Sequence, residues 1–309
     1  MKPALLFLCH RIPYPPNKGD KIRSFHLLKH LAESYRIFLG AFIDDPNDWK
    51  YTEKLHNWCE QTCLQKLEPQ KAKLRSLNGL TKAQPLTLPY YYNPAMAQWV
   101  SSITASEQIA HMLIYSSSMA QYILDPKLSS NNRIIDFVDV DSEKWRQYAE
   151  KKPWPMNWLY RREASYLLDF EKEVAATFDA SFFVSSQEAE HFRQLAPESA
   201  SKIHYYSNGV DLVRFDPERE FETPFDHGEQ QIVFTGAMDY WPNEDAVTWF
   251  ANKVFPVIRQ DWPMARFHIV GRRPSEKVQN LNDIDGVNVT GSVGDCLLYT
   301  SPSPRDFKY

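Results

Sequence analysis

The sequence predicts an α/β protein made of two Rossmann-like, doubly wound domains, the second of them incomplete. Three observations carry that prediction. Short apolar runs of strand length alternate with segments of helical period, the pattern of a parallel sheet covered by helices. A polar, Pro-containing stretch from Leu212 to Glu229 interrupts the alternation, and a fresh strand-helix-strand series follows it. Finally, 309 residues suffice for two separate cores.

In chain order, ALLFLC (4–9) reads as a buried first strand, and the Pro- and Gly-rich loop HRIPYPPNKGD follows it. Ile22, Phe25, Leu28 and Leu31 then recur every three residues as the stripe of an amphipathic helix. RIFLGAFI (36–43) is the next strand, and a polar, Trp-containing helix is expected around 47–61. LTLPYYYNP (86–94), with three tyrosines between prolines, reads as a surface loop or lid. Strands return at IAHMLIY (109–115), RIIDFVDV (133–140) and ASFFVSS (180–186), with a long helix from Trp158 to Phe178 between the last two. IHYYSNGVD (203–211) is a strand ending in an Asn-Gly turn. After the linker, QIVFTGA, ARFHIVG and GVNVTG are strands, with NEDAVTWFANKVFPVI a helix between the first two. The boundaries that follow are an N-terminal domain over 1–212, a linker over 213–230 and a partial C-terminal domain over 231–295.

With 43% hydrophobic and 24% charged residues, the composition is that of a soluble globular chain. The net charge of −4 provides no basic field, which argues against nucleic acid as a partner. Cys9, Cys59, Cys63 and Cys296 form neither a disulfide framework nor a CxxC pair, so a reducing cytoplasm is the expected setting. MKPALLFLC is followed by prolines and has no small-residue cleavage site, so it reads as a strand and not as a signal peptide.

Several motifs combine residue types that suit a polar ligand. In NKGDKIR, Gly19 stands at a helix entrance, where backbone N–H groups and the charges of Lys18, Lys21 and Arg23 suit a phosphate. The alternative is that Gly19 makes the turn and the charges are solvated. DFVDVDSEKW puts Asp136, Asp139 and Asp141 at the C-terminal end of an apolar run; Asp136 and Asp139 are either catalytic carboxylates or structural, and Asp141 or Ser142 is expected to cap the next helix. In FVSSQEAEHF, Ser185 and Glu188 have the spacing of a helix cap. Asn208 and Gly209 form a turn. In VFTGAMDYWPNEDAV and FHIVGRRP, Gly236 and Gly271 end strands, and Arg272 and Arg273 either add charge to a ligand site or are solvated.

HRIPYPPNKGDKIRSFHLLKHL, DFVDVDSEKW, FVSSQEAEHF, SNGVDLVRF, VFTGAMDYWPNEDAVTWF and FHIVGRRP, in that order, resemble the retaining GT-B sugar transferases of glycosyltransferase family 4. The likeness is to the subgroup associated with exopolysaccharide and PEP-CTERM (exosortase) loci. It implies a GT-B fold whose two domains face a cleft, a nucleotide-sugar donor, a glycan or lipid-linked acceptor, and no metal or other cofactor. A lipid-linked acceptor would allow peripheral association with the inner face of the membrane. Carried over by motif, Asp136 and Asp139 are catalytic candidates; Gly19, Asp20, Lys21, Arg23, Ser185, Glu188, Asn208 and Gly209 are acceptor or cleft residues; Gly236, Asn243, Gly271 and Arg272 are donor residues. The chain departs from the pattern at Ala237 and Asn243, where many members carry an Arg and a Lys that hold the donor diphosphate, and no histidine stands between Phe137 and Trp145.

The chain ends in CLLYTSPSPRDFKY (296–309), which has no apolar period. Its first eleven residues resemble, one for one, a reading frame of a sequencing-library adapter. This predicts a non-native tail over 296–309 and a natural chain cut near Asp295, before the E-x7-E pair that the family uses on its donor. The fragment is then expected to be inactive. A non-catalytic binding or scaffold protein with a degenerate GT-B fold is the rival from another class. A Rossmann dehydrogenase or epimerase is disfavoured because no G-x-G-x-x-G follows the first strand.

Overall fold

The structure, a computed structural model, describes residues 2–125, 132–212 and 230–293. The chain divides into two compact units, Met1–Asn208 and Gly209–Tyr309. The linker segment 213–229 and the whole tail 296–309 lie outside the described residues.

The first unit is built on a seven-stranded sheet in the order β3-β2-β1-β4-β5-β6-β7. Its strands are β1 (Ala4–Cys9), β2 (Arg36–Ile43), β3 (Gln61–Lys66), β4 (Ile109–Tyr115), β5 (Asn132–Val138), β6 (Ala180–Phe183) and β7 (Ile203–Tyr205). Every neighbouring pair is parallel. The continuous apolar runs follow from burial on both faces. On β1, Leu6 and Leu8 enter one core while Leu5, Phe7 and Cys9 enter the other, so alternation in space leaves no polar alternation in sequence. Each such side chain contributes about 1.5–3 kcal/mol of burial, which makes these strands the rigid frame of the unit.

The second unit contains a three-stranded parallel sheet, β10-β9-β8. It comprises β8 (Gln231–Thr235), β9 (Arg266–Val270) and β10 (Val287–Gly291). Between β8 and β9 the chain is helical over Trp241–Trp249 and Phe255–Asp261, joined by a π-helical turn at Phe250–Val254. Pro256 has no N–H to give to the preceding turn, which accounts for the irregular hydrogen bonding there.

Five local expectations are corrected. The helix expected at 47–61 is a 3-10 segment, Pro46–Asn57, followed by the edge strand β3, which is half-exposed and lacks the apolar run that marks the others. On helix α1 (Gly19–Leu31) Ile22 is exposed, and Lys21, whose ammonium is paired with Asp48 at 2.9 Å, joins Phe25 and Leu28 on the buried side. The tyrosine segment is helical at Thr87–Tyr91, with Tyr90 and Tyr91 packed on the core. Glu163, almost wholly buried, holds this short helix by accepting from the Leu86 and Thr87 backbone N–H groups. Neither Asp141 nor Ser142 caps the helix Asp141–Glu150: its N-cap is Val140. The strand read at 203–211 pairs only over Ile203–Tyr205.

Candidate functional site

Between β1 and β4 the strand order reverses direction, and in open parallel sheets ligands bind outside the carboxyl ends of the strands at such a switch point. His10 and Arg11 follow β1 there, and Tyr115 ends β4. The His10 ring stacks on Tyr115 with centroids 5.9 Å apart, and Tyr91 meets it edge-on at 6.0 Å. Asp20, in the first turn of α1, stands with its carboxylate 3.4 Å from His10 Nε2 and also pairs with Arg11. Arg11 is held in turn by Asp44, at 2.8 Å. Burial pushes the Asp20 carboxyl up, but the His10 hydrogen bond and the Arg11 charge outweigh it and hold the group well below the ordinary carboxylate range. Tyr115 OH donates to the Asp20 backbone carbonyl at 3.0 Å, which ties α1 to the sheet. Sequence reasoning did not select His10, Arg11 or Tyr115. Their position immediately at the ends of the first and fourth runs was the available signal.

A second cluster lies at the ends of β5 and β7. Asp136 is buried and accepts from Arg23 Nε at 2.9 Å and Arg23 Nη2 at 3.3 Å. It also accepts from Tyr206 OH and from the Val138 N–H at 3.1 Å. Arg23 Nη1 continues to Asn208 Oδ1 at 2.9 Å and to the Tyr206 carbonyl at 3.1 Å, with the guanidinium lying 3.7 Å from the centroid of the Tyr206 ring. Four donors fill the lone pairs of Asp136, so the geometry makes it an anchor for the strand ends and leaves no position for a substrate proton. The backbone beside it is strained: Ser116 at φ 81 and Val138 at φ 71 occupy the left-handed region, which a β-branched residue rarely enters. Both conformations are pinned by Asp136, through its carbonyl to the Ser116 N–H and its carboxylate to the Val138 N–H.

The remaining candidates of the first unit are placed as follows. Lys21 is buried against Asp48 and cannot reach a phosphate. Gly19 opens α1 with open space where a Cβ would stand, and Gly209, the first residue of the second unit, is exposed with the same space open. Asp139 is partly exposed and pairs with Lys144 at 2.8 Å. Ser185 caps the helix Ser186–Leu195 by accepting from the Glu188 N–H, and the Glu188 carboxylate accepts from the Val140 N–H at 2.9 Å, bridging the ends of β5 and β6. Ser142 donates through its backbone and hydroxyl to the fully buried Glu171, at 3.3 and 2.5 Å. Burial, then the nearby Asp141 charge, push the Glu171 carboxyl up to about 8 against those two bonds.

In the second unit the site is made of backbone. Gly236 follows β8 and Gly271 follows β9, and the two chains cross so closely that a Cβ on Gly271 would stand 1.6 Å from the Gly236 carbonyl oxygen. A Cβ on Gly236 would meet Asn243 Nδ2 at 2.7 Å. Asn243 uses that amide to donate to the Ala237 carbonyl at 3.1 Å, which fixes the turn leading to the helix Trp241–Trp249. Arg272 is exposed, and Arg273, at φ 51, reaches Asp239 at 3.6 Å. Gly236, Asn243 and Gly271 are therefore brought together next to the positive end of a helix, where Asn243 and Glu244 already donate their N–H groups to the Tyr240 carbonyl. Among the described residues no three His, Cys, Asp or Glu side chains cluster to hold a metal ion.

Comparisons with known proteins bear on this arrangement. Residues 229–301 match the family model described as Glycosyl transferases group 1. Over 97% of its length the chain is similar to sucrose-phosphate synthase from Thermosynechococcus elongatus, with a TM-score of 0.64, 16% identity and 73% of that chain covered. The fold is that of the GT-B glycosyltransferases. An α,α-trehalose 6-phosphate synthase from Burkholderia multivorans shares this GT-B architecture at TM-score 0.54 and 8% identity, covering 97% of this chain and 76% of that one. A glycosyltransferase from Rickettsia africae does so at TM-score 0.51 and 11% identity, covering 97% and 71%. No curated protein sequence matches the chain.

Proposed function

We propose that this chain is a glycosyltransferase that moves a sugar from a nucleotide-sugar donor to a glycan or lipid-linked acceptor, with retention at the anomeric carbon, in bacterial exopolysaccharide assembly. Its place of work would be the cytoplasm, including the inner face of the membrane. The observation that carries the reading is the family match over 229–301, which falls on the unit where Gly236 and Gly271 cross at the strand ends. The two glycines let the strand ends pack against each other, and the positive end of the helix Trp241–Trp249 together with the exposed Arg272 would offset the charge of a diphosphate as the sugar leaves. The acceptor hydroxyl attacks from the same face. On the acceptor side the switch-point group, His10 with Asp20 and Arg11, is better placed than Asp136, whose lone pairs are occupied.

Ala237 and Asn243 supply no cation where relatives of the suggested kind carry two, and we expect the 309-residue chain by itself to show little or no turnover. The test is a transfer assay on the chain and on a longer homologue with a panel of nucleotide sugars, the product's anomeric configuration being read by NMR. Turnover by the homologue with inversion would remove the retaining mechanism; turnover with no nucleotide sugar would remove the transferase. The missing cation pair also favours a second reading, a non-catalytic scaffold that keeps the fold. Nucleotide binding without transfer in the homologue would select it.

A further inference from the structure

The first unit holds a cavity that lies outside the two clusters described above. It measures about 390 Å³ and opens beyond the carboxyl ends of β2 and β3, the edge on which parallel sheets bind their ligands. That volume falls in the range of about 300–1,000 Å³ usual for small-molecule sites. Buried Ile43 and Leu67 line it, and the Leu67 N–H donates to the Ile43 carbonyl at 2.9 Å, tying the two strand ends together. Trp49 adds an aromatic side that is 39% exposed, although the residue before it is locked in the core by the 2.9 Å pair of Asp48 with Lys21. The buried pair anchors the 3-10 segment Pro46–Asn57, so the indole stands on a fixed backbone. The charges of the lining cancel. Lys66 and Lys71 both pair with Glu68, at 3.1 and 2.6 Å, and Asp44 faces Arg11.

We propose that this cavity is a sugar subsite, which takes the ring next to the reacting one in a neutral glycan acceptor of at least two sugars. A pyranose carries C–H groups on its faces and hydroxyls around its edge. It therefore suits an indole face flanked by carboxylate, ammonium and amide groups. Asp44 connects the cavity to the switch point: it lines the one and holds Arg11 in the other, and Arg11 pairs with Asp20 beside His10. Arg11 reaches Asp44 through Nε and Nη2, and a carboxylate offers about four acceptor positions, so Asp44 can still receive hydroxyl groups. A nucleotide is a poor occupant, because its phosphates would find Lys66 and Lys71 already paired with Glu68. The choice of a glycan as occupant rests on the transferase reading; the cavity and its neutral lining do not.

The experiment is an NMR titration of the isotope-labelled full chain with maltose, cellobiose and chitobiose, with glucose and uridine diphosphate as controls. The chain has nine tryptophans, and the indole N–H signal of Trp49 is the one missing from Trp49→Phe. That signal is expected to move with at least one disaccharide, and to need ~10-fold more glucose for the same movement. Followed on the Leu67 amide, disaccharide binding is expected to weaken at least ~10-fold in Trp49→Ala and by less in Trp49→Phe, which keeps a ring face. The indole is exposed, so thermal unfolding should change little in either variant and serves as the folding control. No movement with any of the three disaccharides, movement with uridine diphosphate alone, or equal binding by Trp49→Ala overturns the proposal. Binding at Trp49 with no transfer by the longer homologue leaves the subsite standing and removes the enzyme. Transfer by that homologue to a disaccharide, with the Trp49 signal unmoved, removes the subsite alone.

Discussion

The two units build the ends of their parallel strands by opposite means. In the first, charged side chains are locked to one another: Arg23 to Asp136, Arg11 to Asp20 and Asp44, Lys21 to Asp48. In the second, two glycine backbones cross and the nearest arginines are exposed. A side-chain network fixes geometry at the cost of consuming its own charges, so few of the cations that looked suited to phosphate remain available. The glycine backbones spend their N–H groups too, Gly236 on the Val270 carbonyl and Gly271 on the Gly291 carbonyl, and their close approach tolerates no added atom. The contrast gives the first set of residues a positioning role; anion contact in the second unit is the proposal to be tested.

The largest expected effect attacks the glycine crossing. Gly271→Ala drives a methyl group into the Gly236 carbonyl, and loss of the folded second unit is expected, of order 3–5 kcal/mol or more. Limited proteolysis should show cleavage confined to that unit. Arg23→Met leaves Asp136 buried without its cation, and a destabilisation of about 3–5 kcal/mol is expected in urea unfolding. If the network is the source, adding Asp136→Leu to that variant restores part of the loss. Next is a pH effect at Glu171. Its folded pKa, about 8, lies above the unfolded value, so the folded state holds the extra proton. Its contribution is therefore full below the unfolded pKa, near 4.3. It is lost as pH rises toward 8, by up to about 1.4 kcal/mol per pH unit. Glu171→Gln should flatten that slope in denaturation followed from pH 5 to 8; an unchanged slope would remove the explanation. The smallest effect is Ser185→Ala, about 1 kcal/mol through loss of the helix cap, with no change in ligand binding.

The frame of the molecule was legible because strands buried on both faces write themselves as unbroken apolar runs: ALLFLC, RIFLGAFI and IAHMLIY coincide with β1, β2 and β4. QTCLQK did not announce β3, since an edge strand half in water needs no such run. Lys21 could not be read as buried from its own segment, because the partner that makes burial tolerable, Asp48, lies 27 residues away. The pairing of Arg23 with Asp136 spans 113 residues, and only the strand order brings them together. Glycine after a strand marked Gly236 and Gly271 as special, but the reason, the contact between them, belongs to the folded sheet. His10 was hidden by its neighbours, in a proline-rich loop that reads as a connector until the switch point is known.

The assignment of anion contact to the second unit is tested most directly by calorimetric titration of nucleoside diphosphates and nucleotide sugars into three proteins: the unaltered chain, Gly236→Ala/Asn243→Ala and His10→Ala. The paired change removes the amide that the new methyl group would strike, so the second unit is expected to stay folded. We expect the unaltered chain to bind at least one nucleotide, the glycine variant to weaken that binding ~10-fold or more, and His10→Ala to leave it unchanged. Binding that survives the glycine variant and is lost with His10→Ala would place the nucleotide on the first unit and contradict the account.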